Sequence, residues 1–371
     1  MSDRIRVAYT LAQCWHRVPG GTASSMIELA RSLADRADVE ILGIGPGGKR
    51  QPAPPWVPPI PMHTTWVPQK LLYDVWHHSS LADPTRNLPD IDVVHATTAT
   101  VPNPRDSALV VTLHDLFPLT TPEQFTKRGV RIMTTGISRA RELAQIVCCP
   151  SSDTIDDCLQ AGFAPEQLRE VPWGVTVDPV SAERVATVRQ HYGLDRPYVL
   201  WVGTIEPRKN LPLLLDAFAA IQPMEVDLVL VGPVGWHEQL EGHIDRIGSQ
   251  VRQLGFVPSE HLSALYSGAE VLALPSLREG FGLPALEAMA HSTPVLCQAR
   301  TAVSEVMGEG GIGMESPSVQ EWADGLKTLL EDESLRSKLG EEALARARTF
   351  TWERSAERMV SAYRDAIDRA S

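Results

Sequence analysis

The stretch that decides the fold is Val271-Leu272-Ala273-Leu274-Pro275-Ser276-Leu277-Arg278-Glu279-Gly280-Phe281-Gly282-Leu283-Pro284-Ala285-Leu286-Glu287. Residues 271–274 are a short apolar run, which reads as a buried strand. Gly280 and Gly282 then let the backbone approach a ligand closely. Pro284 suits the first turn of a helix. The unpaired amides and dipole of a helix start favour a diphosphate. Phe281 and Leu283 belong to the same loop and share its reading. Glu279, before the loop, can hold sugar hydroxyls, and Glu287, one turn into the helix, can accept from ribose hydroxyls. The bland alternative is a strand–turn–helix with two solvated glutamates.

A second strand–loop–helix lies upstream. Residues 198–202 are apolar, and Gly203-Thr204-Ile205-Glu206-Pro207-Arg208-Lys209-Asn210 follows before a helix at 211–221. Arg208 and Lys209 then sit at the C-terminal tip of a strand, where ligands of open α/β sheets bind. Cations are disfavoured at a helix N-terminus unless an anion is near, so the pair implies an anion beside it. A departing diphosphate needs such donors.

The same rhythm runs outward in both directions. Further strands are expected at 227–231, 251–256 and 295–297, and before the linker at 5–9, 39–44, 93–95, 109–113 and 146–149. An amphipathic segment at 22–35 places Met26, Ile27, Ala30 and Leu33 on one face. Strand-then-helix repetition implies parallel sheets covered on both sides. Residues 173–192 break the rhythm as a linker with a short helix. The fold class is therefore α/β with two Rossmann-like domains, an N-terminal one at 1–175 and a C-terminal one at 190–351, followed by a helix at 352–371. The chain's 371 residues suit two domains. Eight prolines between Pro46 and Pro68 oppose helix and central strand alike, so this segment is expected to be a long loop.

The formal net charge is −12, which argues against a general nucleic-acid binder. The five cysteines, Cys14, Cys148, Cys149, Cys158 and Cys297, form no CxxC pair and are expected to be reduced, in a cytoplasmic setting. No signal peptide is read at the start, and no apolar run reaches the ~18 residues of a spanning helix. Two weaker signals remain. Gly20-Gly21 precedes the helix at 22–35, where backbone amides can meet phosphate or sugar, although a plain turn fits as well. His114 ends the strand at 109–113 on the side where ligands bind; a surface or satisfied histidine is the commoner fate.

Taken in order, these elements resemble the GT-B retaining glycosyltransferases of glycosyltransferase family 4, over nearly the whole chain. The most specific part is Glu279…Glu287 with Arg208-Lys209 upstream. Gly255-Phe256-Val257-Pro258, followed by Leu262…Leu265-Tyr266…Ala269, is similar to that family's base-binding strand and helix. The resemblance implies a nucleotide-sugar bound in a cleft between the two domains. Val257 would contact the base through its backbone, Gly20 and Gly21 would lie near the diphosphate and sugar, and His114 would bond the donor sugar. Arg208 and Lys209 would neutralise the leaving group; Glu279 would hold the hexose and Glu287 the ribose. Many members carry an arginine where this chain has Thr204, so Arg208 takes that charge. The final helix would cross back onto the first domain.

The implied reaction is hexosyl transfer with retention, with no cofactor and no metal ion. Asp90-Ile91-Asp92 precedes a strand rather than following one, so it reads as a surface turn and not a metal motif. The run His114-Asp115-Leu116-Phe117-Pro118-Leu119 resembles mannosyltransferases of surface-polysaccharide pathways, making GDP-mannose the first expected donor and a UDP-sugar the second. The acceptor would be a glycan, a lipid-linked molecule or a small molecule. Lys127, Arg128, Arg131, Arg139 and Arg141 form a local basic patch that fits an anionic membrane surface or a solvated helical face. Trp66 and Trp76 can stack on sugars, touch lipid or pack in a core. A sugar-nucleotide epimerase and a non-catalytic nucleotide-sugar-binding subunit are the competing readings. A dehydrogenase is disfavoured, because the first turn lacks Gly-x-Gly-x-x-Gly.

Overall fold

The computed structural model describes residues 4–17, 19–79, 83–86, 88, 90–233, 235 and 240–371. Packing divides the chain into two units. The first runs to Gly174 and regains Trp352–Ser371; the second is Val175–Thr351.

Among the described residues the first unit holds seven strands: β1 (Ile5–Thr10), β2 (Val39–Gly47), β3 (Met62–Pro68), β4 (Val93–Ala96), β5 (Ala108–Thr112), β6 (Ile146–Cys149) and β7 (Leu168–Glu170). They form one parallel sheet in the order β3-β2-β1-β4-β5-β6-β7. The second unit holds β8 (Tyr198–Val202), β9 (Asp227–Val231), β10 (Val251–Gly255), β11 (Val271–Leu274), β12 (Val295–Gln298) and β13 (Gly311–Met314). These are also parallel, in the order β10-β9-β8-β11-β12-β13. The strand order reverses between β1 and β4 in one sheet and between β8 and β11 in the other. Helices leave opposite faces at such a switch point and open a crevice at the strand C-termini.

The central strands β4, β5, β6, β8, β9 and β11 are buried along their whole length, as strands covered on both faces must be. The first helix buries Met26, Ile27, Ala30 and Leu33, the face set by their spacing. The helix begins at Gly20 rather than Thr22, so the glycine pair is its first turn and not a loop before it.

The proline-rich segment differs from expectation. Pro46 lies within β2, and residues 62–68 form β3. Both are compatible with proline for a physical reason. β3 is an edge strand, and the β2–β3 register shifts between Gly45 and Gly47, around Pro46. Proline removes a donor, which an edge or an irregularity tolerates.

The C-terminal helix Trp352–Ala370 buries Ser355, Ala356, Met359, Val360, Ala362, Tyr363 and Ala366. This apolar stripe packs it on β5, β6 and the helix Gly20–Ala34. Tyr363 Oη lies 2.8 Å from His95 Nδ1, while His95 Nε2 lies 2.8 Å from Thr112 Oγ1. Burial, reinforced by His114, lowers the His95 pKa to about 3, so this histidine is a neutral, satisfied core group. Arg169 also pairs with Asp365 at 2.7 Å. Burying one large apolar side chain stabilises by roughly 1.5–3 kcal/mol, so the stripe outweighs these polar contacts in holding the helix.

All five cysteines are buried free thiols. Cys148 and Cys149 point to opposite sides of β6, one toward Met359 and the other 3.7 Å from Cys158. Among the described residues no helix is long and apolar enough to cross a membrane.

Candidate functional site

The two strand–loop–helix elements meet at the switch point of the second sheet. β8 and β11 are neighbours, paired Val199 to Val271 and Leu200 to Leu272. Their loops therefore leave side by side, and Leu277 N–H donates to the Arg208 carbonyl at 2.9 Å. Pro207–Lys209 forms a 3-10 turn, and Asn210 takes a left-handed conformation, φ 49°, before the helix Leu211–Ala220 starts. Asparagine tolerates that conformation better than most residues. The turn sets Arg208 and Lys209 ahead of the helix rather than in its first turn. Gly203 makes room: a Cβ there would stand 3.3 Å from the Trp201 ring and 3.5 Å from Lys209 Cε.

Lys209 Nζ lies 2.5 Å from Glu279 Oε1, and Arg208 Nη1 lies 2.8 Å from Glu279 Oε2. Ser276 Oγ donates to Glu279 Oε1 at 2.7 Å. Arg208 Nη2 also reaches Glu206 Oε1 at 2.6 Å. Glu206, Lys209, Ser276 and Glu279 are all buried. Burial alone would raise the Glu279 pKa, but the Lys209 and Arg208 charges and the bonds from Lys209 and Ser276 hold it at about 2. Burial lowers the Lys209 pKa, with Glu279 opposing. The anion expected beside the two cations is thus supplied by the chain itself. Two cations face two carboxylates, and the cluster is balanced within the protein.

This refines what each group has left to offer. A carboxylate has about four acceptor sites. Three bonds to Glu279 leave it room for about one more, such as a single hydroxyl. Ser276 and Glu206 are absent from the sequence reading. Ser276 stands three residues before Glu279 in the quoted stretch, and Glu206 precedes Pro207-Arg208; a search for polar groups flanking the motif residues would have found both.

Gly282 is the N-cap of the helix Leu283–Ala290 with φ 105° and makes no side-chain cap. A Cβ on Gly282 would come within 3.0 Å of Val303 Cγ2, so both conformation and space demand glycine. Pro284 falls in the first turn. Phe281 is buried edge-to-face on Phe350 at 6.0 Å, a packing role. Gly280 and Leu283 are half-buried beside it. Glu287 is half-buried on the same helix, and its Oε2 accepts from Tyr266 Oη at 2.7 Å. Val257 is buried in the loop after β10, beyond Gly255 at φ 66°.

In the first unit the switch point gathers a different set. His114 follows β5, and its Nε2 lies 3.0 Å from the Thr97 carbonyl. A carbonyl only accepts, so Nε2 carries the proton. Burial lowers the His114 pKa to about 4, the Thr97 bond opposing. The ring is therefore neutral near pH 7, and Nδ1 is left as an acceptor. Trp173 lies against the ring at 5.5 Å. Thr97 is fixed in turn: its Oγ1 donates to the Thr10 carbonyl at 2.5 Å and accepts from Gln13 Nε2 at 3.0 Å. No local sequence signal marks Thr97 or Gln13, because their partners are 17 to 87 residues away. Gly20 has φ 66° and open space around it, while Gly21 is exposed.

The basic patch is largely committed to the protein. Along the helix Lys127–Leu143, Arg128 and Arg131 both pair with Asp74 at 2.9 Å. Arg139 donates to the Val101 carbonyl at 3.2 Å and Arg141 to the Ala161 carbonyl at 3.0 Å. Lys127 is exposed. Trp76 is core, whereas Trp66 is 67% exposed. Asp90 is exposed, and Asp92 Oδ2 accepts from the Arg6 amide at 2.8 Å. Among the described residues no three His, Cys, Asp or Glu gather as a metal site would require.

Comparison with known proteins fits this geometry. The profile of the glycosyl transferases group 1 matches residues 186–346, and that of glycosyltransferase family 4 matches residues 19–179. The chain is 32% identical over 266 residues to the O-antigen chain mannosyltransferase B of Escherichia coli, covering 69% of this chain and 70% of the relative. It is 34% identical over 221 residues to the D-inositol 3-phosphate glycosyltransferase of Corynebacterium glutamicum, covering 55% of this chain and 53% of the relative. In fold it is similar to Anabaena HepE, solved with UDP and glucose, with a TM-score of 0.77 at 21% identity over 96% of this chain and 99% of that one. It is also similar to WaaG, a glycosyltransferase involved in lipopolysaccharide biosynthesis, with a TM-score of 0.71 at 18% identity over 96% and 98% of the two chains. Two Rossmann-like domains, the motif pair joined at a sheet's switch point, and these matches place the chain in the glycosyltransferase group 1, family 4 enzymes of GT-B fold.

Proposed function

We propose that this enzyme transfers a hexose, mannose first and a UDP-linked sugar's hexose second, from a nucleotide-sugar with retention of configuration and without a metal ion or other cofactor. The observation that carries the reading is the buried Lys209–Glu279–Arg208 cluster beside the helix start at Gly282. Breaking the anomeric C–O bond puts negative charge on the diphosphate. The Leu283 amide at the start of Leu283–Ala290 and the charged groups of Lys209 and Arg208 stabilise that charge where it develops. Glu279 accepts from one hexose hydroxyl with its remaining site. Glu287 accepts from the ribose, and the backbone at Val257 meets the base. His114 accepts a sugar hydroxyl bond at Nδ1, and the amides at Gly20 and Gly21 face the diphosphate and sugar. The name of the Escherichia coli relative supports mannose; UDP in HepE supports the second donor.

The acceptor is proposed to be a glycan or a lipid-linked molecule, reached at an anionic membrane surface. No Asp or Glu lies between Glu40 and Asp74, and this span carries the exposed Lys49 and Arg50 as well as Lys70. Gly47, at the end of β2, pairs with Pro68 at the end of β3. That corner brings Lys49 and Arg50 toward Trp66 and the start of the helix Gln69–His78, where Leu71 is 56% exposed. Arg128 reaches the Lys70 carbonyl at 2.6 Å, which joins Lys127 to the same corner. Cations around exposed apolar groups suit a peripheral contact with anionic lipid.

The first test is thermal stabilisation by GDP, UDP and ADP with their sugar conjugates, because a ligand of the native state raises Tm. A selective shift with GDP and GDP-mannose is expected. A selective shift with UDP would replace mannose by a UDP-linked sugar, and no shift with any of them would overturn the donor site. Transfer is expected to persist in EDTA; a strict requirement for Mg²⁺ or Mn²⁺ would remove the metal-free reading.

A further inference from the structure

Glu287 has a partner that the donor reading does not use. Tyr266, on the helix Ser259–Ser267, is 1% exposed, and its hydroxyl donates to Glu287 Oε2 at 2.7 Å. The ring is stacked on His291 at 6.2 Å and 15° between planes. The backbone beneath is tied as well, since Thr293 Oγ1 donates to the Tyr266 carbonyl at 2.6 Å. Stacking, burial and the backbone tie leave the ring one orientation, with the hydroxyl against the carboxylate.

We propose that Tyr266 is a positioning residue that aims Glu287 at the ribose of a nucleoside diphosphate; this rests on the ribose reading of Glu287 given above. A vicinal diol donates two bonds and is best met by an ionised carboxylate with free lone pairs. The Tyr266 bond occupies one site on Oε2 and leaves Oε1 open, so it selects one carboxylate rotamer without blocking it.

The bond also favours the charged form of Glu287. Burial raises the Glu287 pKa, and the Tyr266 hydrogen bond opposes this by favouring the ionised form. Of the segments packed on Leu283–Ala290, the helix Ser259–Ser267 presents Tyr266 and the chain just after presents His291. Burial lowers the His291 pKa, with Asp178 opposing, so His291 adds no positive charge near neutral pH. Among the described residues, Ala302–Met307 and Glu333–Ala347 add no charge that shifts Glu287. Tyr266 is therefore the side chain that opposes this rise and favours the ionised carboxylate.

The test is calorimetric titration of the full chain with GDP, UDP and their 2′,3′-dideoxy counterparts at pH 6 and pH 8. A bond to a charged group corresponds to about tenfold in affinity, so the wild type is expected to prefer the ribo form by about that factor at both pH values. In Tyr266→Phe that preference falls several-fold, more at pH 6 than at pH 8, while dideoxy affinity stays put. Glu287→Gln loses the preference at both. An unchanged preference in Tyr266→Phe, or an equal loss for ribo and dideoxy ligands, would overturn the proposal. So would a wild-type preference that falls between pH 8 and pH 6, which needs no variant to fold. A wild type that binds ribo and dideoxy forms alike would instead overturn the ribose reading of Glu287 itself.

Discussion

Lys209 Nζ and Glu279 Oε1 lie 2.5 Å apart, and the two residues are only 6% and 9% exposed. They are separated by 70 residues in sequence, and the pairing of β8 with β11 brings them together. A buried ion pair roughly breaks even against apolar packing, so the intact pair adds little net stability.

Removing one partner is a different matter, because it strands a charge. Lys209→Ala is expected to cost about 3 kcal/mol of unfolding free energy, measured by urea denaturation, together with a large loss of transfer. Glu279→Gln should cost a similar amount, and the Lys209→Met/Glu279→Gln double variant less than the sum. The sign with pH follows from the Glu279 value. Its folded pKa of about 2 lies below the ordinary 4.5, so its contribution is complete above about 4.5 and is lost as pH falls toward 2. Wild-type stability and turnover in Lys209→Ala would contradict the assignment.

His114 is expected to act as a neutral acceptor. His114→Ala should lower turnover about tenfold or more, the scale of one lost hydrogen bond to a developing charge, and leave nucleotide affinity within about twofold. A collapse of nucleotide affinity would make His114 structural. Because its folded pKa is lowered to about 4 from 6.5, its stability contribution is present above about 6.5 and fades as pH falls through 4. The kcat profile should therefore carry no limb near pH 6.5 from this residue. Such a limb, absent in His114→Ala, would show that the imidazole titrates in the working range.

The corner of the first unit around Lys49, Arg50 and Trp66 should bind vesicles of phosphatidylglycerol and phosphatidylcholine, and not phosphatidylcholine alone. At about 1 kcal/mol per cation near an anionic surface, reversing two charges in Lys49→Glu/Arg50→Glu should weaken binding at least tenfold. Trp66→Ala should weaken it further by removing an interfacial anchor. Equal binding to neutral vesicles, or none to anionic ones, would leave the acceptor as a water-soluble molecule.

Much of the frame was legible from local pattern. Runs of three to six mostly apolar residues marked the central strands, because strands buried on both faces are apolar along most of their length. β3, β7 and β13 escaped notice. Their residues are partly exposed and include a proline-bounded edge, so neither alternation nor a continuous apolar run betrays them. The strand–turn–helix was readable for the same local reason: Gly282, Pro284 and Glu287 stand at offsets that it imposes on one short segment.

What the sequence determined by itself is therefore the α/β class and the strand–turn–helix placement of its motifs, since each rests on periodicity or turn chemistry within about twenty residues. Only the tertiary structure decided who partners whom. Two carboxylates, Glu206 and Glu279, balance Arg208 and Lys209; Thr97 fixes the His114 tautomer; Tyr266 meets Glu287; and Asp74 takes up two arginines of the basic patch. Those contacts depend on strand order and on helix packing across long sequence separations, and their strength comes from burial, which no single residue carries in its own identity.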